Sequence, residues 1–395
     1  MQIYADNAAT TKMSPAAIDT MTKAMNEYFG NPSSFYIIGQ RAKEKLEQAR
    51  CEIACLIGAE PREIIFTSGG SEADNQALLS AGAIGRRKGK MHIISSAFEH
   101  HAILHRLKRM EKEGFEVTLL PVHENGIIDL EELKSAIRED TCLVSIMTAN
   151  NEIGTIQPIS EIGKICKDHG IIFHTDAVQA VGHLEIDVKK ENIDMLSASA
   201  HKFHGPKGVG FLYIRKGLQP TALIEGGAQE RGKRAGTENL PGIMAMATAL
   251  EESVAGMQKN NAHIKEVRDY IIKGLSAIPH CALNGEAKRR LPSNINFSFE
   301  GIEGESLLIL LDRRGISASS GSACTSGALD PSHVLLAIGR VHDVAHGSLR
   351  LSLGEDIDFE QADYIIKNVS EVVEYLRSFS PVWRDLKEGR RQYIL

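Results

Sequence analysis

The chain has 395 residues, 43% of them hydrophobic and 24% charged, with 35 Gly and 12 Pro. That composition fits a globular protein of about two domains and excludes a small module, a disordered chain and a collagen-like repeat. Forty-five Lys plus Arg stand against 51 Asp plus Glu, a net charge of -6, so nothing global attracts nucleic acid or anionic lipid and partners must be sought in local sites. The start, Met1-Gln2-Ile3-Tyr4-Ala5-Asp6-Asn7, lacks the basic and then apolar segments of a leader. No apolar run approaches the roughly 18 residues of a membrane span, and a cytoplasmic protein without membrane contact is expected. Cys51, Cys55, Cys142, Cys166, Cys281 and Cys324 form no CxxC pair, which argues against a disulfide framework or a zinc ribbon and for mostly reduced core thiols.

In chain order, short runs rich in Ile, Val and Phe predict strands at Glu63–Thr67, Met91–Ser95, Glu116–Pro121, Cys142–Met147, Gly170–Thr175, Met195–Ala198 and Gly210–Ile214. Amphipathic stretches separate them. Such alternation predicts an α/β fold, with a mostly parallel seven-stranded sheet between helices. From about Ile243 to Ala277 the pattern turns helical. Strands at Ser293–Phe299 and Ser348–Ser352 follow, with helices at Glu305–Arg313, His333–Ile338 and Phe359–Ser378. These predict a smaller α+β domain of residues 1–13 and 258–395 beside a large domain of residues 14–257, with no linker long enough to separate independent modules.

Four stretches suggest chemistry. Ile64-Ile65-Phe66-Thr67-Ser68-Gly69-Gly70-Ser71-Glu72 reads as strand, small-residue turn and helix start, where free amides and a helix N-terminus suit a phosphate; a plain βα turn capped by Ser71 is the alternative. Ile171-Ile172-Phe173-His174-Thr175-Asp176 places an acid at a strand end, where it could hold a cationic ring nitrogen or merely cap a helix. Ala198-Ser199-Ala200-His201-Lys202-Phe203-His204-Gly205 places a lysine after another strand, suited to a Schiff base with an aldehyde cofactor unless it is a surface lysine. His201 and His204 lack a third ligand at suitable spacing, so no metal is expected. Together the phosphate cradle, the acid and the lysine are the handles that pyridoxal 5′-phosphate requires.

The fourth stretch, Ser319-Ser320-Gly321-Ser322-Ala323-Cys324-Thr325-Ser326-Gly327, surrounds one cysteine with residues too small to build a core. Cys324 is therefore expected to be exposed and to act as a nucleophile, whereas the other cysteines lie among apolar or helical neighbours. Arg350, in Ser348-Leu349-Arg350-Leu351, offers a fork for a substrate carboxylate, with a structural ion pair as the alternative. His342 and His346 are read as packing or capping residues.

Asp6-Asn7-Ala8-Ala9-Thr10-Thr11, Gly30-Asn31-Pro32-Ser33-Ser34, the Ser68–Asn75 segment, Asn150-Asn151-Glu152, Asp176-Ala177-Val178-Gln179, His201-Lys202, Gly236-Thr237-Glu238-Asn239 and Ser319–Cys324 together resemble the NifS/IscS-type cysteine desulfurases, class V aminotransferases of the fold-type I architecture. The resemblance runs through nearly the whole chain in order. It implies a homodimer that uses pyridoxal 5′-phosphate to convert L-cysteine to L-alanine. The sulfur is left as a persulfide for an acceptor such as an iron-sulfur scaffold. It further implies that Lys202 is the Schiff-base lysine, Asp176 the ring-nitrogen partner and His100 the imidazole stacked on the ring. Gly70, Ser71, Ser199 and His201 would hold the phosphate, with Thr237 reaching it from the other subunit. Asn151 and Gln179 would contact the ring oxygen and the substrate side, Arg350 the substrate carboxylate, and Cys324 the sulfur. A selenocysteine lyase or an aminotransferase is the rival within this fold, and a non-catalytic sulfur carrier the rival outside it. Two positions depart from the family pattern: Tyr36 stands where a histidine is frequent, and the chain ends soon after Pro381-Val382-Trp383, short of the tail with which housekeeping members dock a scaffold.

Overall fold

The structure, a computed structural model, describes residues 1–320 and 331–395. A short strand β1 (Ile3–Tyr4) leads to α1 (Pro15–Glu27), whose first turn is capped by the Ser14 hydroxyl, and to α2 (Ile37–Leu56). The following strands β2 (Ile64–Thr67), β3 (His92–Ser96), β4 (Glu116–Leu120), β5 (Thr141–Ser145), β6 (Ile172–Asp176), β7 (Met195–Ser199) and β8 (Gly210–Ile214) build the large sheet. Helices α3 (Gly70–Arg87), α4 (His101–Lys112), α5 (Leu130–Ala136) and α6 (Ile159–Asp168) connect them.

The sheet has seven strands in the order β2-β8-β7-β6-β5-β3-β4. Its strands lie parallel except β8, which runs antiparallel to both β2 and β7. Because β8 alone is reversed, β2, β3, β5, β6 and β7 all end at one edge of the sheet. Successive residues face opposite sides of a strand, and the core divides accordingly. Ile64, Phe66, Ile94 and Val144 pack into one apolar layer, and Ile65, Ile93 and Leu143 into the other. Helices therefore cover both faces, which explains why these strands read as unbroken apolar runs.

The long helix α7 (Leu240–Leu275) leads to β9 (Cys281–Leu283), β10 (Asn294–Phe299), α8 (Gly304–Arg313) and β11 (Ile316–Ser317). Beyond them lie α9 (His333–Ala337), α10 (His342–His346), β12 (Ser348–Ser352), α11 (Phe359–Phe379) and α12 (Pro381–Lys387). Strands β12, β10 and β9 form an antiparallel sheet that pairs Asn296 with Arg350. β1 pairs with β11 in parallel, and Ile3 and Ala5 enter the same apolar cluster as Val267, Ile295, Leu349 and Val369. The chain's first residues thus belong to the second core, and a bridge from Asp6 to Ser352 ties the Asp6–Ala9 turn to the end of β12 in the small sheet.

Candidate active site

The ends of β2, β3, β5, β6 and β7, among the six parallel strand ends at one edge, deliver the expected site residues together, as the position beyond the carboxyl ends of parallel strands requires. After β2, Gly69 adopts φ +148°, and α3 starts at Gly70, so Ser71 lies in the first turn and the cap position is Gly69. A methyl group on Gly70 would meet Val178 Cγ2 at 2.6 Å, and one on Gly69 would meet Ser199 Oγ at 3.5 Å. The contact calls for glycine at position 70 and the positive φ favours it at position 69, so the turn lies close to the ends of β6 and β7 and leaves α3's first amides open to an anion. Ser199 closes β7, and His201 follows it with Nδ1 3.2 Å from Thr10 Oγ1. Burial, with Lys202 and Lys207 nearby, pushes the His201 imidazole down to about 4, so it is neutral at physiological pH.

Lys202 lies in the short turn after β7. Its Nζ donates to the carbonyls of Ala8 at 2.6 Å and Ala9 at 2.8 Å, which rules out the surface-lysine reading. Gln179 Nε2 donates to the same Ala8 carbonyl at 3.0 Å. Asp176 ends β6 almost fully buried, and its Oδ1 accepts from the Val178 amide at 2.9 Å. Burial raises this carboxyl above its ordinary range, while His100 and Lys202 pull it back toward ionisation. His100 caps α4, its Nδ1 accepting from the Ala102 amide at 3.2 Å. With Nδ1 accepting, the ring's N–H is on Nε2. One ligand atom each from His100, Asp176 and Asp74 lies within 4.8 Å of the others.

Arg350 reaches this edge from β12. It is buried, with Nη1 on the Asn151 carbonyl at 3.1 Å and Nη2 on Asp6 Oδ1 at 2.9 Å, while its buried Nε has no partner among the described residues. The ion-pair reading and the carboxylate-handle reading of Arg350 are thus compatible: Asp6 orients the fork, and a donor remains unused. Asn151 sits in a turn fixed by Asn150 Oδ1, which accepts the amides of Glu152 at 2.8 Å and Ile153 at 3.0 Å. Thr237 is exposed in the turn before α7.

Cys324 lies outside the described residues. Cys142 and Cys166 are buried, and burial pushes their thiols up, Cys142 to about 11. Cys51 and Cys55, however, are exposed on α2. This corrects the expectation that exposure sets Cys324 apart: a helix position does not fix which way a residue faces, and α2 turns these two thiols outward. Sequence reasoning also gave no role to Asp6, Asp74, Glu99 or Glu152, although the quoted motifs contain Asp6, Asp74 and Glu152.

The residues fit pyridoxal 5′-phosphate: a glycine turn that a Cβ would fill, a buried acid at the ring-nitrogen end, and a lysine already drawn into the cleft. Sheet and site together define a fold-type I pyridoxal-phosphate enzyme. The chain matches the aminotransferase class-V family over residues 3–365. It is 51% identical over 394 residues to the cysteine desulfurase IscS of Clostridium botulinum (strain Hall), covering 99% of each chain. With the cysteine desulfurase IscS of Methanosarcina thermophila it shares 53% identity over 380 residues, 96% of this chain and 94% of that one. A solved NifS-like protein superposes with a TM-score of 0.89 at 38% identity, covering 95% of this chain and all of the other. The chain belongs to the class-V aminotransferase family and, within it, to the cysteine desulfurases.

Proposed function

We propose that the site desulfurates L-cysteine to L-alanine and that Cys324 takes the sulfur as a persulfide. The observation that carries the assignment of roles is the convergence of Lys202, Asp176 and the Gly69–Gly70 turn at one sheet edge, faced by Arg350 from the second core. When bound, pyridoxal 5′-phosphate supplies an aldehyde for the substrate amine and an electron sink for charge that develops on the α-carbon.

This chain's residues do the rest. The amides of Gly70 and Ser71, with Ser199 and His201, hold the phosphate, and Thr237 of a second copy completes that pocket in a homodimer. Asp176 holds the ring nitrogen's proton by charge, His100 covers the ring face, and Asn151 and Gln179 border the substrate side. Arg350 orients the substrate carboxylate, using the Nε donor that Asp6 leaves free. Lys202 moves the α-proton. The Cys324 thiolate then bonds to the substrate sulfur as the carbon–sulfur bond breaks and the bonding pair stays with the β-carbon; that carbon takes up one proton and the α-carbon recovers the one Lys202 removed, which gives alanine. His100 Nε2 would exchange the proton at the substrate sulfur. The persulfide passes to an acceptor protein such as an iron-sulfur scaffold.

Among the described residues no helix is long and apolar enough to cross a membrane, and we place the reaction in the cytoplasm. We set the domain division at residues 14–257 against 1–13 and 258–395, which α7 crosses. Borohydride reduction of the holoenzyme followed by peptide mapping tests the central assignment. The label is expected on Lys202, and a label on Lys207 or another lysine would overturn it.

A further inference from the structure

Behind the ring-nitrogen carboxylate lies a second acid that the chemistry above does not use. Asp74, in the second turn of α3, is 1% exposed, beside Asp176 at 6% and Glu99 at 1%. Three carboxyl groups are thus buried beneath one side of the cleft. Asp74 and Asp176 approach within 4.8 Å, and Asp74 Oδ1 has no hydrogen-bond partner among the described residues.

The polar groups around Asp74 decide its charge. His174 Nε2 is 3.7 Å from Asp74 Oδ1, but that imidazole is committed to Ser197 Oγ at 3.0 Å and Ser145 Oγ at 2.9 Å. Burial pushes His174 down to about 3, so it brings no positive charge. Ser197 favours the carboxylate form of Asp74, whereas burial and the neighbouring Asp176 and Glu99 all oppose it, and together they raise Asp74 well above the usual carboxylate range. Lys202 and His100 act instead on Asp176. Glu99 is itself pushed up to about 8 by burial, despite accepting from Ser96 Oγ at 2.5 Å and the Met147 amide at 3.0 Å. Two carboxylates this close and shut away from water do not both ionise.

We propose that Asp74 is a positioning residue, a protonated carboxylic acid behind Asp176 that leaves Asp176 the only charged carboxyl facing the ring nitrogen. The inference rests on Asp176 being the ring-nitrogen partner and explains how three buried acids present one negative charge to one cationic ring. Ionised Asp74 would add a second charge with no cation to meet it.

Infrared spectroscopy of the holoenzyme at neutral pH tests this, because the carbonyl stretch of a protonated acid is separate from the carboxylate bands. A protonated-acid band is expected that moves to lower frequency when the protein is made with aspartate carrying carbon-13 in its side-chain carboxyl. Glu99 contributes no such shift. The band should vanish in Asp74→Asn and persist in Asp176→Asn, since burial, the larger cause, remains. Turnover of Asp74→Asn should stay within about threefold of wild type with an unmoved pH profile, a neutral amide replacing a neutral acid. Absence of an isotope-shifted band in wild type overturns the proposal, even if a variant fails to fold. So does loss of the band in Asp176→Asn. If instead Asp176 were not the ring partner, Asp176→Asn would keep wild-type turnover, an outcome separate from the infrared one.

Discussion

Glu152 should make the fold pH-dependent in a direction opposite to that of an ordinary salt-bridged acid. It follows Asn151 in the loop after β5 and is 5% exposed. Its carboxylate accepts a short hydrogen bond from Ser332 Oγ, the hydroxyl that also caps α9 through the amides of Val334 at 3.1 Å and Leu335 at 3.3 Å. Burial pushes this acid from an ordinary 4.5 up to about 7, against the favourable pull of Ser332, Arg350 and His100. Between these two values the folded protein keeps a proton that the unfolded chain has released, so stability falls as pH rises through that window and the loss is complete above it. A difference of about 2.5 pH units at about 1.4 kcal/mol each gives about 3.5 kcal/mol. Glu152→Gln accepts the same Ser332 bond and does not titrate. Urea unfolding at fixed protein concentration, at pH values below and above the window, should show the variant gaining about 3.5 kcal/mol on wild type as pH rises. Glu99 titrates alike in both proteins and cancels. An offset between the two proteins that stays constant with pH would refute the reasoning.

Arg350→Ala removes the carboxylate fork, and the loss of a charge-assisted bond should lower kcat/KM for cysteine by about 10- to 100-fold; steady-state kinetics check it, and an unchanged value would assign the substrate carboxylate elsewhere. Gly70→Ala places a methyl group 2.6 Å from Val178 Cγ2, so the α3 turn must shift and cofactor should be lost on dialysis faster than from wild type, as followed by absorbance. Cys324→Ala should keep the cofactor spectrum and lose alanine production from cysteine. In wild type after brief exposure to cysteine, mass spectrometry should find one added sulfur on the Cys324 peptide; sulfur on exposed Cys51 or Cys55 would reassign the nucleophile.

Residues whose position follows from strand geometry were legible in the sequence. Asp176 and Lys202 stand directly after apolar runs, and a parallel sheet sends every such position to one edge. The reversal of β8 was not legible, because Gly210–Ile214 is as apolar as its parallel neighbours and is buried on both faces. Asp74 was hidden for a different reason. On a helix an acid reads as solvated, and only the packing of α3 onto β6 and β7 turns it inward. Glu152 and Ser332 are 180 residues apart and Asp6 and Arg350 are 344 apart, so no local pattern announces either pair. Cys51 and Cys55 show the same limit from the other side, since a helix position does not say which way the residue faces.

The Asp6–Ala9 turn explains why the first residues of the chain fold with the last. A cleft built to receive a zwitterion holds two cations, and buried cations are costly unless something accepts their protons or balances their charge. Asp6 balances Arg350 through Nη2, and the Ala8 and Ala9 carbonyls accept from Lys202 Nζ. Both partners come from one turn, fixed by the β1–β11 pairing and by the Asn7 amide on the Ser352 carbonyl at 3.2 Å. The two partners differ in kind, and the difference suits the chemistry. A carboxylate partner suits a guanidinium, so Asp6 holds the Arg350 fork aligned through Nη2 while Nε stays open. Neutral carbonyls bind Lys202 more weakly than a carboxylate would, which holds the amine in the cleft without fixing its proton there. A carboxylate at position 8 or 9 would stabilise the charged amine and oppose the proton transfer proposed for Lys202.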